Sequence, residues 1–411
     1  MKTRRLFFVA LLLLGTSISS QAQTLQASPI TTAVPFLLNT PDARGTSLGF
    51  SGVATSPDAF SMFYNPAKYA FMSNDHTMIA SGFNAFSDFV SDQYLLYDAF
   101  AQRIGNSVIA ATARYNSCGD ITVYDANHQN LGTYRPREFA VDVAYSYRFG
   151  DYLSAGVAGR FIHSNLISGY GNLVGVVYDT KSYSLAGDAS VYYNRPLASW
   201  VDMSLGAAIT NIGTKMSYSS AEGRKDFIPT TLRLGTGFKF NLHPKNTLAM
   251  NLEFSKLMVP TPPIIARDDT GNPLYNDDGS FQILYGMDDN VSVLRGMFQS
   301  FYDAPGYAYY SLGYQAGEYD RIGSFYEELC EVNMGIGIEY NLADHFFVRT
   351  GYYHAPAIKG GVNCLTEGLG MKFGIFGMDL SYSLFSYKPW TDLMNSQFIN
   401  GRLRWDMYFA F

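Results

Sequence analysis

The sequence predicts an all-β fold, a transmembrane antiparallel β-barrel of about 14 strands. Three observations carry that reading. Beyond residue 76 apolar residues recur at every second position in runs of about 9–12 residues, the length a tilted strand needs to cross a bilayer. Charged residues make up 16% of the 411, and aromatics also reach 16%, with 31 Tyr and 30 Phe. A soluble domain usually carries about 25% charge. Finally, an N-terminal leader is followed by no stretch of about 18 consecutive apolar residues, so no helix is predicted to hold the chain in a membrane. In a bilayer only helices and closed barrels satisfy every backbone group.

The elements follow in order. Lys2, Arg4 and Arg5 precede the apolar run Leu6–Leu14, and Ser20 and Ala22 occupy the −3 and −1 positions of a small-residue cleavage site. Residues 1–22 read as a signal peptide, leaving Gln23 as the first mature residue. Residues 23–75 are rich in Gly, Ser, Pro and Ala, lack alternation, and form a segment distinct from the wall. Residues 76–411 form the barrel. In "FAVDVAYSYRF" one face carries Phe139, Val141, Val143, Tyr145, Tyr147 and Phe149, and the other Ala140, Asp142, Ala144, Ser146 and Arg148. The outer face is apolar and aromatic; the lumenal face is small and polar. Residues 257–306, with "VPTPP", "ARDDTGNPLYNDDGS" and "FYDAPG", interrupt the pattern and read as a long extracellular loop. The closing "GRLRWDMYFAF" alternates to its last residue. Leu403, Trp405, Met407, Phe409 and Phe411 are expected to face lipid on a strand that pairs with the first, since a closed barrel has no edges.

The net charge of −6 and the absence of a basic run argue against a nucleic-acid partner. Cys118, Cys330 and Cys364 are odd in number and lack CxxC spacing, so neither a disulfide framework nor a metal site is predicted. His76, His128, His163, His243, His345 and His354 show no metal-ligand spacing. Asp268, Asp269, Asp277, Asp278, Asp288 and Asp289 could offer hard-cation ligands, but the EF-hand order is absent and "TGN" and "DDG" read as turns. "GTSLG" satisfies G-x-S-x-G at Ser47, yet no apolar strand precedes it, and its glycines suit a segment that turns tightly against a wall.

Asp42, Arg44 and Asp58 lie in a mostly apolar segment, where charges must be paired or hydrated. Arg44 is expected to pair with Asp42, Asp58 or a lumenal carboxylate and so to lock the segment in place. Asn65 and Pro66 end the segment, Pro66 by fixing φ and removing a donor, Asn65 by bonding local backbone. The stiff "VPTPP" and the aromatic "FQSFYDAPG" are expected to form a rigid extracellular surface. Pro260, Pro262, Pro263, Phe298, Phe301 and Tyr302 are its candidate partner contacts. The competing expectation is a lid folded over the barrel mouth.

"PDAR" and "GFSGVATSPDAFSMFYNPA", which carry Asp42, Arg44, Gly49, Asp58, Asn65, Pro66 and Ala67, resemble the N-terminal hatch of FadL-type outer-membrane barrels. "LMVPTPP", "GMFQSFYDAPG" and "FYEELCEVNMGIGIEY" are more specific. They resemble the PorV (LptO) family of the Bacteroidetes type IX secretion system, from about residue 35 to the C-terminus. The resemblance departs in "DDTGNPLYNDDGS" and in "DAPGYAYY", which takes the place of an expected "DAPGG". It implies a FadL-like barrel with a lumenal hatch (23–75), without cofactor or catalytic activity. The implied partners are the giant translocon barrel (SprA/Sov-like), the C-terminal signal domains of secreted cargo, a PorU-like surface signal peptidase, and outer-membrane lipid and lipopolysaccharide. A terminal aromatic, with Trp405, Phe409 and Phe411 on the last strand, also resembles the signal read by barrel-assembly machinery. Two other classes remain open: a FadL-like transporter of hydrophobic small molecules, suggested by the hatch alone, and a lipid hydrolase resting on Ser47.

Overall fold

The computed structural model describes residues 25–72, 77–85, 92–125, 127–166, 181–218, 225–268, 270–310, 319–386 and 399–410. The expected signal peptide and its cleavage site, His76, Asp269 and Phe411 lie outside the described residues. Fourteen antiparallel strands close into one barrel. They are β1 (Thr77–Ala85), β2 (Gln93–Ile104), β3 (Ser107–Cys118), β4 (Arg137–Phe149), β5 (Leu153–Asn165), β6 (Lys181–Ala198) and β7 (Val201–Gly213). The circuit continues through β8 (Thr231–His243), β9 (Asn246–Leu257), β10 (Val332–Leu342), β11 (Phe346–His354), β12 (Asn363–Phe373), β13 (Phe376–Ser386) and β14 (Ile399–Ala410). The seam is β1 on β14, from Met78 opposite Ala410 to Asn84 opposite Arg404. Among the described residues no helix is long and apolar enough to cross a membrane.

Side-chain alternation assigns the two faces. Val141, Val143 and Tyr145 are exposed on the outside of β4, while Ala140, Asp142, Ala144 and Ser146 are buried inside. On β14, Leu403, Trp405 and Phe409 face outward, and Arg404 and Asp406 face the lumen. An inverted pattern of this kind, with large apolar groups outside and small or charged groups inside, is what lipid contact selects. Ion pairs hold the lumenal charges: Arg114 with Asp142, Arg160 with Asp142 and Asp188, Arg349 with Glu339 and Asp379.

One end of the barrel carries only tight turns, such as 105–106, 150–152 and 374–375. The other carries the long connections, including 119–136 and 258–331. Outer-membrane barrels keep short turns in the periplasm, so the long connections mark the outer face.

The N-terminal segment threads the barrel from that outer face to the turns. Leu25 and Gln26 pair with Tyr310 and Tyr309 of the outer connection, and Ala27 N–H donates to the Ile358 carbonyl. The chain then fills the lumen with a 3-10 turn (Pro35–Leu38), α1 (Ala43–Ser47), α2 (Ser61–Tyr64) and a second 3-10 turn (Pro66–Phe71). It leaves beside the tight turns, where Arg148 stacks on Phe71 and Arg103 donates to the Met72 carbonyl. The connection between β9 and β10 spans 258–331, longer than the expected 257–306 loop. It contains a hairpin (Ile264–Ile265 with Ile283–Tyr285), α3 (Val293–Gln299) and α4 (Ser324–Leu329).

Candidate functional site

Wall side chains hold the lumenal segment at several points. Asp42 caps α1, accepting from Gly45 N–H at 2.6 Å and from the Tyr64 hydroxyl at 2.8 Å. The first amide of α1, Ala43 N–H, donates to Asp406 of β14 at 2.6 Å. Such a carboxylate at a helix start satisfies an otherwise orphan donor. Arg44 does not pair with Asp42. Its guanidinium binds Asp58 within the segment at 2.9 Å and Glu339 of β10 at 3.0 Å, and also reaches Ser56. Glu253 of β9 accepts from Gly52 N–H and Val53 N–H and pairs with Arg233. Gly49 has φ 70°, and a Cβ there would lie 2.6 Å from the Ile336 and Tyr352 carbonyls, so only glycine fits against the wall. Asn65 donates to the Val53 and Val191 carbonyls and accepts from Ala67 N–H, tying segment and wall together. Pro66 opens the last 3-10 turn, and Ser146 and Ser154 donate to the Pro66 and Ala67 carbonyls. Ser47 ends α1, and its hydroxyl donates to the Arg44 carbonyl at 2.8 Å. It therefore sits at no strand-to-helix elbow.

A second network organises the outer connection. Lys256, at the top of β9, pairs with Glu328 and Glu331. Lys359, from the β11–β12 connection, pairs with Glu327 and Glu331 and donates to the Ser28 carbonyl at 3.1 Å. Glu331 also accepts from the Thr261 hydroxyl at 2.6 Å. Glu327 accepts from Gly306 N–H and Glu328 from Ala304 N–H. Asp303 accepts from Thr261 N–H and Gln299. "VPTPP", "DAPG", "FYEELCE" and the threaded N-terminus thus meet on one buried cluster of acids and lysines.

That cluster turns the short helices inside out. In α4, Glu327 is fully buried while Phe325 is 78% exposed, with Tyr326 and Leu329 also at the surface. In α3 and the turn after it, Gln299 and Ser300 are buried while Leu294, Phe298, Phe301 and Tyr302 are exposed. The result is a solvent-facing aromatic surface on a polar, ion-paired base. Phe298, Phe301 and Tyr302, candidate partner contacts from the sequence, are exposed on that surface. Pro260, expected at the surface, is buried under α3, 3.0 Å from where a Gly296 Cβ would sit, and Pro262 and Pro263 are half-buried. "VPTPP" is a buttress for α3 rather than part of the surface, because its neighbours Val259 and Thr261 also point inward. Phe325, Tyr326, Leu329 and Leu294 escaped sequence reasoning. The available signal was a glutamate pair in the middle of an apolar hexapeptide, "SFYEEL".

Asp268 accepts from Thr270 N–H and Asn272 N–H, and Asp278 from Ser280 N–H, so these acids form turns. The three cysteines are unpaired.

Burial, with Glu328 and Glu331 nearby, raises the Asp303 carboxyl to about 7, against the bonds from Thr261 and Gln299 that favour its ionised form. A raised carboxyl pKa stabilises the protonated fold, so this contribution is full at acid pH and is lost as pH rises through about 7. The outer connection is expected to resist proteinase K better at pH 6 than at pH 8. Asp303→Asn should flatten that dependence; equal pH dependence in both proteins would contradict the assignment.

A family model described as type IX secretion system protein PorV matches residues 21–264. No curated protein sequence matches the chain. Among solved structures, the chain is similar to the toluene transporter TbuX of Ralstonia pickettii, at 12% identity over 91% of this chain and 98% of that one, TM-score 0.48. It is also similar to the toluene transporter TodX of Pseudomonas putida, at 11% identity over 94% and 99%, TM-score 0.47. A Pseudomonas aeruginosa FadL homologue matches at 10% identity over 93% and 98%, TM-score 0.41.

Proposed function

Because the chain belongs to the PorV family of the type IX secretion system, we propose that it is a non-enzymatic outer-membrane subunit that binds the C-terminal signal domain of secreted cargo. In this reading it carries the cargo from the translocon barrel to a PorU-like signal peptidase at the surface, in a Bacteroidetes-type bacterium, after removal of residues 1–22. The observation that supports binding is the aromatic surface of α3 and α4. Exposed Phe and Tyr on a rigid, ion-paired support lose little entropy on docking and are effective anchors. The lumenal segment takes the role of a plug that keeps the wall sealed while cargo is handled outside.

The FadL-like transporter of hydrophobic small molecules is the weaker reading. A lumen crossed by a segment bonded to Glu253, Glu339 and Asp406 offers no apolar conduit. Sustained loss of growth on long-chain substrates by a deletion strain would revive it.

The docking surface is tested with Phe298→Ala/Phe325→Ala in the intact barrel. Pull-down of a purified cargo signal domain is expected to fall at least about tenfold, since hot-spot truncations cost about 2 kcal/mol or more. Undiminished capture by a correctly folded double variant would reject the surface.

A further inference from the structure

Between the lumenal plug and the barrel wall lies a cavity of about 230 Å³. Four cations line it, Arg233, Lys256, Arg402 and Arg404, and among the described residues no carboxylate does. Two of them are spoken for: Lys256 by Glu328 and Glu331, and Arg233 through one amino group by Glu253. The other two are not. Arg404 is 3% exposed, donates to the Thr46 hydroxyl, and has no ion pair among the described residues. Its Nε–H is buried without an acceptor, as is that of Arg233. Arg402 stacks on Phe385 and likewise has no carboxylate partner among the described residues. Elsewhere the lumenal arginines 114, 160 and 349 each hold an acid, so the imbalance is local.

A buried guanidinium is costly unless paired and hydrogen-bonded. Its planar fork matches the oxygens of a carboxylate or phosphate. Three rings also line it: Phe50, Tyr353 and Phe385 cluster with ring centroids 5.3 and 6.2 Å apart, and Phe50 lies 5.4 Å from the Arg404 guanidinium. This leaves room for a small organic stem beside a charged head.

We propose that this cavity is an oxyanion site, in which Arg402 and Arg404 hold a carboxylate or phosphate group and Phe50, Tyr353 and Phe385 enclose what carries it. The anion supplies the acceptors that the two arginines lack, and so bridges the last wall strand to the plug through Arg404 and Thr46. The site is independent of the aromatic surface: cargo capture can succeed or fail without bearing on it.

Equilibrium dialysis of the full-length barrel in nonionic detergent tests the site, with radiolabelled butyrate, inorganic phosphate and the neutral isostere butyramide as probes. Saturable binding of either anion is expected, with butyramide at background. Butyrate binding identifies a carboxylate on an organic stem, and phosphate binding a phosphate group. Arg402→Gln, which disturbs no bond to the plug, should weaken anion binding about tenfold or more, and Arg404→Gln should do the same. Three results would overturn the proposal: neither anion binding, butyramide binding as tightly as butyrate, or undiminished binding in a folded Arg402→Gln barrel.

Discussion

Arg44→Ala is expected to destabilise the barrel by about 3–5 kcal/mol, the usual cost of stripping one partner from a buried ion pair. The arginine answers two carboxylates at once, Asp58 within the plug and Glu339 in the wall. Removing it strands Asp58 near Lys68, 4.0 Å away, and leaves Glu339 to Arg349 alone. Hydrogen exchange should show residues 43–65 losing protection before the wall strands do. Cells carrying the variant should become permeable to large antibiotics that the intact outer membrane excludes. Arg44→Ala/Asp58→Asn should recover part of the stability, since it removes the stranded charge. Unchanged plug protection in the single variant would mean that Arg44 does not hold the segment.

Lys256→Met should have an effect of similar size, confined to the outer connection. The substitution keeps the stem and removes the ammonium that separates Glu328 from Glu331, leaving both facing Asp303 with Lys359 as the sole remaining cation of the cluster. An undocking cost of about 3–5 kcal/mol would release α3 and α4 together. Limited proteolysis should then nick between 258 and 331, while the wall keeps its heat-modifiable mobility on gels. Cargo capture should fall even though no aromatic group has changed. Proteolysis at the wild-type rate would show that the cluster does not support the surface.

The wall was legible because lipid imposes a simple rule on each strand. Val141 and Val143 outside and Asp142 inside follow from counting by two, and so does the seam-forming strand with Leu403 and Trp405 facing out. The contacts that fix the plug were half legible. A half-buried Arg44 demanded an acid, and Asp58 was a candidate by proximity in sequence, but Glu339 lies 295 positions away and nothing local marks it. The outer connection was least legible. Its organising cluster draws Lys256, Asp303, Glu327, Glu331 and Lys359 from four separate stretches. In a helix as short as "SFYEEL", period and burial are decided by those distant lysines rather than by amphipathic spacing. Pro260 was misplaced for the same reason. Stiffness is a property of the segment, whereas exposure depends on what packs above it, here α3 through Gly296.

The path of residues 25–72 also constrains the order of assembly. The wall is a closed hydrogen-bonded ring, and the chain passes through that ring from one rim to the other before becoming its first strand. A ring already zipped between Met78 and Ala410 could admit such a thread only end-first through a lumen narrowed by Arg–acid crossbars. The topology is reached simply when the sheet curls around the thread while still open. Joining the first strand to the last is then the final event, one that locks the polypeptide through itself like a drawn bolt.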